Sequence, residues 1–459
     1  MKVLLFGTGE YYQRYKVWFE NEEILALIDN SEEKQGTYID GKEVIAPNDI
    51  SKFKYDAIFI LTFSVTEITT QLLNLGIDKD EIYSFNYIHD FIYRSWKRKE
   101  IHKYGKTGNK PEIALLSQDL SLGGPALALY NVARILQSWG YSVTYASMVD
   151  GPLRTILLED GISVIVDPNM LAETMSNNEW ISEYSLVICN TINFHAFLSE
   201  RDMDIPVIWW LHDAEFFYRA ANITALKKIS NSNLTVVAVG PIARNAMRKY
   251  RPDFEIGDLL YGVEEVTLLG NQKRNSDIIQ FVTIGFVEPH KGQDLLIKAV
   301  KALPDVLRQK CRFLFVGKNT SLFASELMRD VLDIPEVQFV GTVDRGEIHS
   351  ILSGTDVLVC PSRQDCMPTV CSEAMMHSVP CLVSDATGTA AYITGENGRV
   401  FPTENIDELK KQIVWFIDHK DDIASMGEKA RIVYEKFFSM QAFSHSLKEI
   451  ISDKMLQTF

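Results

Sequence analysis

The chain has 459 residues, 46% hydrophobic and 23% charged, with a net charge of −15, a size that fits two to four globular domains. The negative balance argues against broad nucleic-acid binding, because a polyanion is repelled by the molecule as a whole. No run approaches the ~18 apolar residues of a membrane-spanning helix. The N-terminus lacks the charged start and small-residue cleavage site of a signal peptide, so the cytoplasm is the expected address.

Buried parallel strands read as short β-branched runs, each followed by a helical pattern. The first group runs through 2–6, 24–28, 57–61 and 81–83. Gly7-Thr8-Gly9 follows its first strand and Asp29 ends its second, which is the dinucleotide-fold pattern of a phosphate turn and a ribose-binding acid. Tyr12 stands where a third glycine is usual. Residues 1–98 are therefore expected to form a small Rossmann-like accessory domain, with Gly7, Gly9 and Asp29 as candidate nucleotide residues. A binding or docking module and a nucleotide-empty one both remain open. The stretch 28–47 resembles small Rossmann-like modules attached to bacterial sugar-modifying enzymes.

Residues 99–110 read as a basic linker. Arg94, Lys97, Arg98, Lys99, Lys103, Lys106 and Lys110 crowd this region and read as a solvated segment, with contact to anionic headgroups at the inner face of the cell membrane as the second reading. The next group, 111–275, opens at Pro111, carries Gly123-Gly124 before a helical stretch, and ends one strand at His212-Asp213. Glycines let backbone approach a diphosphate closely, and a helix N-terminus aims N–H donors at it. The Asp202-Met-Asp204 triplet has the form of a metal-holding pair but lacks any metal-site context. The aromatic runs Trp209-Trp210 and Phe216-Phe217-Tyr218 read as core and cleft wall. The third group spans 276–435, and 436–459 reads as a C-terminal helix packing back on the second group.

The densest signal runs from Asp356 to Ser384, as strand, loop, helix and strand. Pro368 suits the first helical turn, and Pro380 closes the helix. Asp365 and Glu373, with seven residues between them, bracket the helix N-terminus. Ionised carboxylates there accept paired hydrogen bonds from the vicinal hydroxyls of a sugar or ribose. The six cysteines form no CxxC pair and no zinc-spaced cluster, and Cys360 and Cys381 read as buried small hydrophobes.

The stretch around Asp365 and Glu373 resembles the E-x7-E region of the family 4 retaining glycosyltransferases, with Asp365 in place of the first Glu. The strand–loop ending in Lys291-Gly292 and the Gly123-Gly124 loop resemble the same family. The resemblance covers 111 to about 435 and implies an α/β, GT-B architecture: two facing Rossmann-like doubly wound domains, preceded here by the small front domain. It implies that 111–275 is the acceptor side and 276–435 the nucleotide-sugar side. Gly123, Gly124, Lys291, Asp365, Met367, Pro368, Thr369 and Glu373 would bind the donor, with His212, Lys291 and Asp365 at the reacting centre. The base would be met by backbone around Val340 and Val343. No metal and no cofactor beyond a nucleoside diphosphate sugar are implied. The acceptor would be a cell-surface glycan, a lipid-linked glycan or a glycoprotein, and configuration would be retained. Phe286 replaces the family's usual Arg, so Lys318 or Arg363 is expected to supply that charge. The family's Gly-Gly-x-x-Glu loop is replaced here by Gly388 to Tyr392. Competing readings are a catalytically inactive partner subunit and another GT-B enzyme such as a nucleotide-sugar epimerase.

Overall fold

The computed structural model describes residues 1–19, 22–62, 64–84, 99–102, 111–167, 170, 179–266 and 277–455. The basic linker and its lysines lie outside these, apart from the strand backbone at 99–102. The described chain forms two compact units, one of 1–189 with 196–205 and one of 190–195 with 206–459.

The first unit begins with β1 (Lys2–Phe6), β2 (Glu23–Ile28), β3 (Tyr38–Ile39), β4 (Lys42–Ile45), β5 (Ala57–Ile60) and β6 (Ile82–Ser84). Their order is β3-β4-β2-β1-β5-β6, parallel except for the β3–β4 pair. The central strands are apolar without alternation because both faces of a parallel sheet are covered, and Val3, Leu4 and Leu5 are all fully buried. The unit continues with β7 (Lys99–His102), β8 (Glu112–Asp119), β9 (Ser142–Val149), β10 (Ser163–Val166) and β11 (Leu186–Asn190), in the order β11-β8-β9-β10-β7. The helix Gly124–Ser138 turns Ala126, Leu129, Val132, Ala133 and Leu136 inward at i, i+3, i+4 spacing and packs on β8 and β9.

The second unit holds β12 (Val207–Leu211), β13 (Leu234–Ala238) and β14 (Ile256–Asp258), paired in parallel in the order β14-β13-β12. Trp209 and Trp210 of β12 are wholly buried, and their indole N–H groups donate to the carbonyls of Thr191 (2.7 Å) and Leu259 (2.8 Å). That pairing removes the cost of burying a polar edge.

The same unit then forms β15 (Ile279–Ile284), β16 (Cys311–Val316), β17 (Val337–Gly341), β18 (Val357–Cys360), β19 (Cys381–Ser384) and β20 (Gly398–Phe401). These are all parallel, in the order β17-β16-β15-β18-β19-β20. The chain winds outward from β15 to β17, then returns to β18 and winds the other way. Loops leaving β15 and β18 therefore diverge, and the crevice they leave beyond the strand ends is where ligands of such sheets bind. Phe281 of β15 stacks on Phe313 of β16, centroids 5.1 Å apart, an arrangement worth about 1 kcal/mol beyond its buried area. The last helix, Met440–Met455, lays Phe443 against Trp210 at 5.6 Å, and Tyr434 donates its hydroxyl to the carbonyl of Val263 at 2.9 Å.

Candidate active site

The two loops at the switch point between β15 and β18 bring Lys291 and Asp365 together. After β15 the chain makes a short turn, Pro289–Lys291, and enters the helix Gln293–Lys301 through Gly292. Gly292 has φ +71°, and a Cβ there would lie 2.0 Å from the carbonyl oxygen of Pro361, so only glycine lets this loop close against the loop after β18. The closure sets Lys291 Nζ 2.8 Å from Asp365 Oδ2. Burial pulls the Lys291 pKa down, but the Asp365 carboxylate outweighs it and the net shift is upward, so the ammonium is charged at neutral pH. The Asp365 backbone is fixed on both sides: its N–H donates to Ala386 (3.1 Å), and its carbonyl accepts from Gly388 (2.9 Å).

The helix Thr369–Met376 starts three residues beyond Cys366, with Pro368 as its N-cap residue. Pro368 thus stands one place before the first helical turn expected from sequence. Met367 is buried, and its side chain is packed inside the protein. Its Sδ accepts from Thr389 Oγ1 at 3.6 Å, and its Cε leaves no room for a side chain at Gly240. Any contact of Met367 with a ligand is therefore through its backbone. Gly388 brings backbone into close contact inside the protein: a Cβ there would be 1.8 Å from the Cys366 carbonyl oxygen.

Glu373, in the helix's second turn, is buried and accepts from Arg345 Nη2 at 2.8 Å. Arg345 opens the helix Arg345–Ser353, whose Asp344 and Glu347 form a capping box. Val340 is partly exposed, and Val343 packs on Val282, Leu314 and Val316. Phe286 is 53% exposed beside the Lys291 turn. Arg363, considered as its replacement charge, is engaged elsewhere: its Nη1 and Nη2 grip the Asp294 carboxylate at 2.7 and 2.9 Å, and its Nε bonds Glu404. It is a brace between the two loops. Lys318 is exposed, and its backbone carbonyl accepts from Val287.

A second group of polar residues lies past the ends of β11 and β12. His212 follows β12 with its ring 4.5 Å from that of Trp210 and its Nε2 buried without a partner among the described residues. Burial lowers its pKa to about 3, so the ring is neutral. Asp213 accepts the Ile192 N–H at 2.6 Å, and its burial raises the carboxyl to about 7. Thr191 sits at φ +70° with a buried hydroxyl that has no partner among the described residues, a costly posture for a β-branched residue, of order 1–3 kcal/mol. The Asp213 charge helps to raise the pKa values of both Tyr218 and Cys366, after burial, which puts this strand end beside the Asp365 loop. Tyr261 is buried within electrostatic reach of Asp365 and Glu373. Sequence reasoning missed Tyr261 and Arg345, since neither lies in a spaced motif; the capping box around Arg345 was the available signal.

In the first unit, Gly123 is the N-cap of the helix Gly124–Ser138 and its N–H donates to Ser121 Oγ at 3.2 Å. Space is open around Gly124. In the front sheet, the turn Gly7–Gly9 is held by Asp29, which accepts from the Thr8 hydroxyl and N–H, the Ser31 N–H (2.9 Å) and Lys34 (3.2 Å). In the Asp202–Asp204 triplet, Asp202 accepts the Asp204 N–H at 2.9 Å within its own turn. Among the described residues no three His, Cys, Asp or Glu side chains gather as a metal site. All six cysteines are buried thiols.

Residues 266–433 match the family described as glycosyl transferases group 1, and residues 110–240 match glycosyl-transferase family 4. A crystal structure of HepE from Anabaena, in complex with UDP and glucose, superposes with a TM-score of 0.61 at 18% identity, covering 75% of this chain and all of that one. The fold is that of the GT-B glycosyltransferases. An uncharacterized glycosyltransferase of Methanocaldococcus jannaschii is 21% identical over 69% of this chain and 91% of its own length. A galactosyltransferase of Escherichia coli, named for UDP-Gal and α-D-GlcNAc-diphosphoundecaprenol, is 25% identical over 51% of this chain and 60% of its own. The front residues 1–83 match a separate family, C2185-like N-terminal. In this GT-B chain, Lys291, Asp365 and Glu373 fall in the group 1 match, and Gly123, Gly124 and His212 in the family 4 match.

Proposed function

We propose that this glycosyltransferase moves a sugar from a nucleoside diphosphate sugar to a hydroxyl of a cell-surface glycan, lipid-linked glycan or glycoprotein, with retention and without a metal. The observation that carries the reading is the Lys291–Asp365 pair, a charged ammonium and a carboxylate 2.8 Å apart at the switch point, next to a helix N-terminus and the buried Glu373. The similar structure bound to UDP and glucose and the relative named for UDP-Gal support the donor class.

In this reading the bond between the anomeric carbon and the diphosphate oxygen breaks, and a bond to the acceptor oxygen forms. The acceptor proton passes to the departing phosphate. Charge grows on the leaving diphosphate, so the catalysis is electrostatic stabilisation in a site that excludes water. Lys291, the amides of Gly123 and Gly124, and the helix start at Met367, Pro368 and Thr369 supply it. Asp365 receives hydroxyls of the donor sugar, and Glu373, held by Arg345 at 2.8 Å, the ribose. Backbone near Val340 and Val343 meets the base. Neutral His212 reaches the donor sugar at the reacting centre as a hydrogen-bonding group. The corresponding domains are 1–98, 111–275 and 276–435, with 436–459 as a closing helix. The protein works in the cytoplasm, and Gly7, Gly9 and Asp29 belong to an accessory module.

A panel of UDP-, dTDP- and GDP-sugars tests this, by thermal shift for binding and by nucleotide release for turnover, with and without EDTA. One donor should stabilise the wild type and release nucleotide in EDTA, and Lys291→Ala and Glu373→Ala should lose both effects. Stabilisation without release, even with acceptors supplied, would instead identify an inactive partner subunit.

A further inference from the structure

Two neighbouring helices beside Glu373 are held very differently. Thr369–Met376, which carries Glu373, buries every residue from Cys371 to Met376, and Arg431 Nη1 closes its end on the Met376 carbonyl at 2.8 Å. Arg345–Ser353 buries only His349 and Leu352. Its capping box ties it to the segment that holds Val340 and Val343 and ends at Asp344. Apolar packing therefore fixes the first helix, while the second, with the segment before it, depends on a few polar contacts.

Two such contacts join the helices at the same offset of 28 residues. Arg345 Nη2 donates to Glu373 Oε1 at 2.8 Å, and one turn further on His349 Nδ1 and His377 Nε2 lie 3.1 Å apart. Equal offsets mean that the two segments advance side by side in the same direction, with a pin at each turn. The pins are unequal. The Arg345 side chain is 69% exposed, and a side chain so long can follow Glu373 through a small slide of its helix. Two short imidazoles cannot, because a hydrogen bond weakens steeply once its distance and angle are lost. Burial pulls both imidazole pKa values down, His377 to about 4. Both rings are then neutral at neutral pH, and the N–H of one donates to the bare nitrogen of the other.

We propose that the His349–His377 hydrogen bond is a spacer for the nucleoside, fixing the distance between the base-side segment 340–343 and the ribose acid Glu373 and so setting donor affinity. His349 and His377 are positioning residues, and neither meets the donor. The spacer has this use only if Glu373 receives the ribose and 340–343 the base, as in the donor site proposed above. Nucleoside contacts are remote from the reacting carbon and equal in the ground and transition states, so loosening them raises KM and leaves kcat.

The test is nucleotide release from UDP-glucose, dTDP-glucose and GDP-glucose, with KM and kcat measured for whichever the wild type turns over. Pyrophosphate serves as a competing ligand that has no nucleoside. His349→Leu and His377→Leu should each raise KM at least about fivefold, with kcat and inhibition by pyrophosphate within about twofold of wild type. His349→Asn puts an amide where Nδ1 stands, and His377→Gln puts one where Nε2 stands. Each amide restores the bond and should keep KM within about twofold of wild type. His377 is half-buried beyond the end of its helix, so His377→Leu keeps the test decisive if His349→Leu fails to fold. Wild-type KM in the leucine variants, or the same KM in the amide and leucine variants, overturns the proposal. So does a leucine variant that loses kcat and pyrophosphate inhibition along with KM, which is damage to the whole site. Glu373→Ala with a wild-type KM, or a wild type that turns over none of the three donors, would instead remove the donor site itself, and the spacer with it.

Discussion

Two of the aspartate–lysine pairs among the described residues stand beside glycine-bearing loops at strand ends, and the two places differ. At the front, Asp29 meets Lys34 at 3.2 Å; at the switch point, Asp365 meets Lys291 at 2.8 Å. Asp29 also accepts from Thr8 and Ser31, so Oδ2 serves the turn that carries Gly7 and Gly9 and Oδ1 its own loop. Burial opposes its charge, yet these bonds win, and its pKa falls below the ordinary carboxylate value. Asp365 is held by its backbone, and Lys291 is the one side chain that donates to its carboxylate among the described residues. A carboxylate offers about four acceptor sites. The front acid is consumed by the fold, and the rear one keeps capacity for a ligand. A glycine loop with an acid nearby is thus the same sequence pattern for two different jobs.

The largest effect should come from the rear pair. Lys291→Ala is expected to lower turnover by about a hundred- to a thousandfold, the cost of removing one preorganised group from a developing charge, in a nucleotide-release assay at saturating donor. Asp29→Ala should leave that rate within about twofold. The glycines extend the contrast. Gly292→Ala faces both the left-handed φ and the Pro361 carbonyl at 2.0 Å, and should cost at least about 2 kcal/mol in urea unfolding. Gly9→Ala meets nothing within 4 Å and should stay within about 1 kcal/mol. Equal losses at the two positions would erase the difference between an open loop and a closed one.

The apolar runs of β1, β12 and β18 were legible because parallel strands covered on both faces need no alternation. The placement of Lys291 and Asp365 just past strand ends was legible too. Their pairing was not, since it follows from β15 and β18 lying side by side, and strand order is not written in any local pattern. For the same reason Arg345 was missed as the partner of Glu373, 28 residues further along the chain. Arg363 looked like a spare positive charge, but only the folded loops show Asp294 and Glu404 already holding it. Phe216, Phe217 and Tyr218 share one apolar signature. A turn too short for periodicity separates the exposed pair from the buried ring.

Acid titration compares the buried pair beside that loop. Asp213 has a carboxyl raised from 3.8 to about 7, so the folded state holds its proton more tightly and stability falls as pH rises through that window. His212 is lowered from 6.5 to about 3, so its contribution is full above 6.5 and is lost as pH falls toward 3. Between about 4 and 6.5 the two slopes oppose, each at most about 1.4 kcal/mol per pH unit. Asp213→Asn keeps an oxygen for the Ile192 N–H and removes one slope. The variant should therefore gain stability over wild type at pH 8, while losing it faster below pH 6.5. Parallel stability curves for the two proteins would show that Asp213 titrates normally.

The smallest effects test whether the front acid is structural. Lys34 is nearly half exposed where it meets Asp29, and a pair so placed is worth about 0–1 kcal/mol. Lys34→Gln should therefore move the unfolding midpoint of the front sheet very little. Asp29→Ala should cost more, about 1–3 kcal/mol, because the Thr8 and Ser31 N–H groups lose their acceptor. That ordering, with no stabilisation by NAD, UDP or a UDP-sugar that depends on Asp29, is what an acid committed to its own turn produces. A nucleotide that stabilises the wild type and not Asp29→Ala, with the Lys291→Ala protein responding as wild type does, would break the comparison. The Thr8 and Lys34 bonds would then be the resting state of a second nucleotide site, opened when a ribose takes the place of the Thr8 hydroxyl.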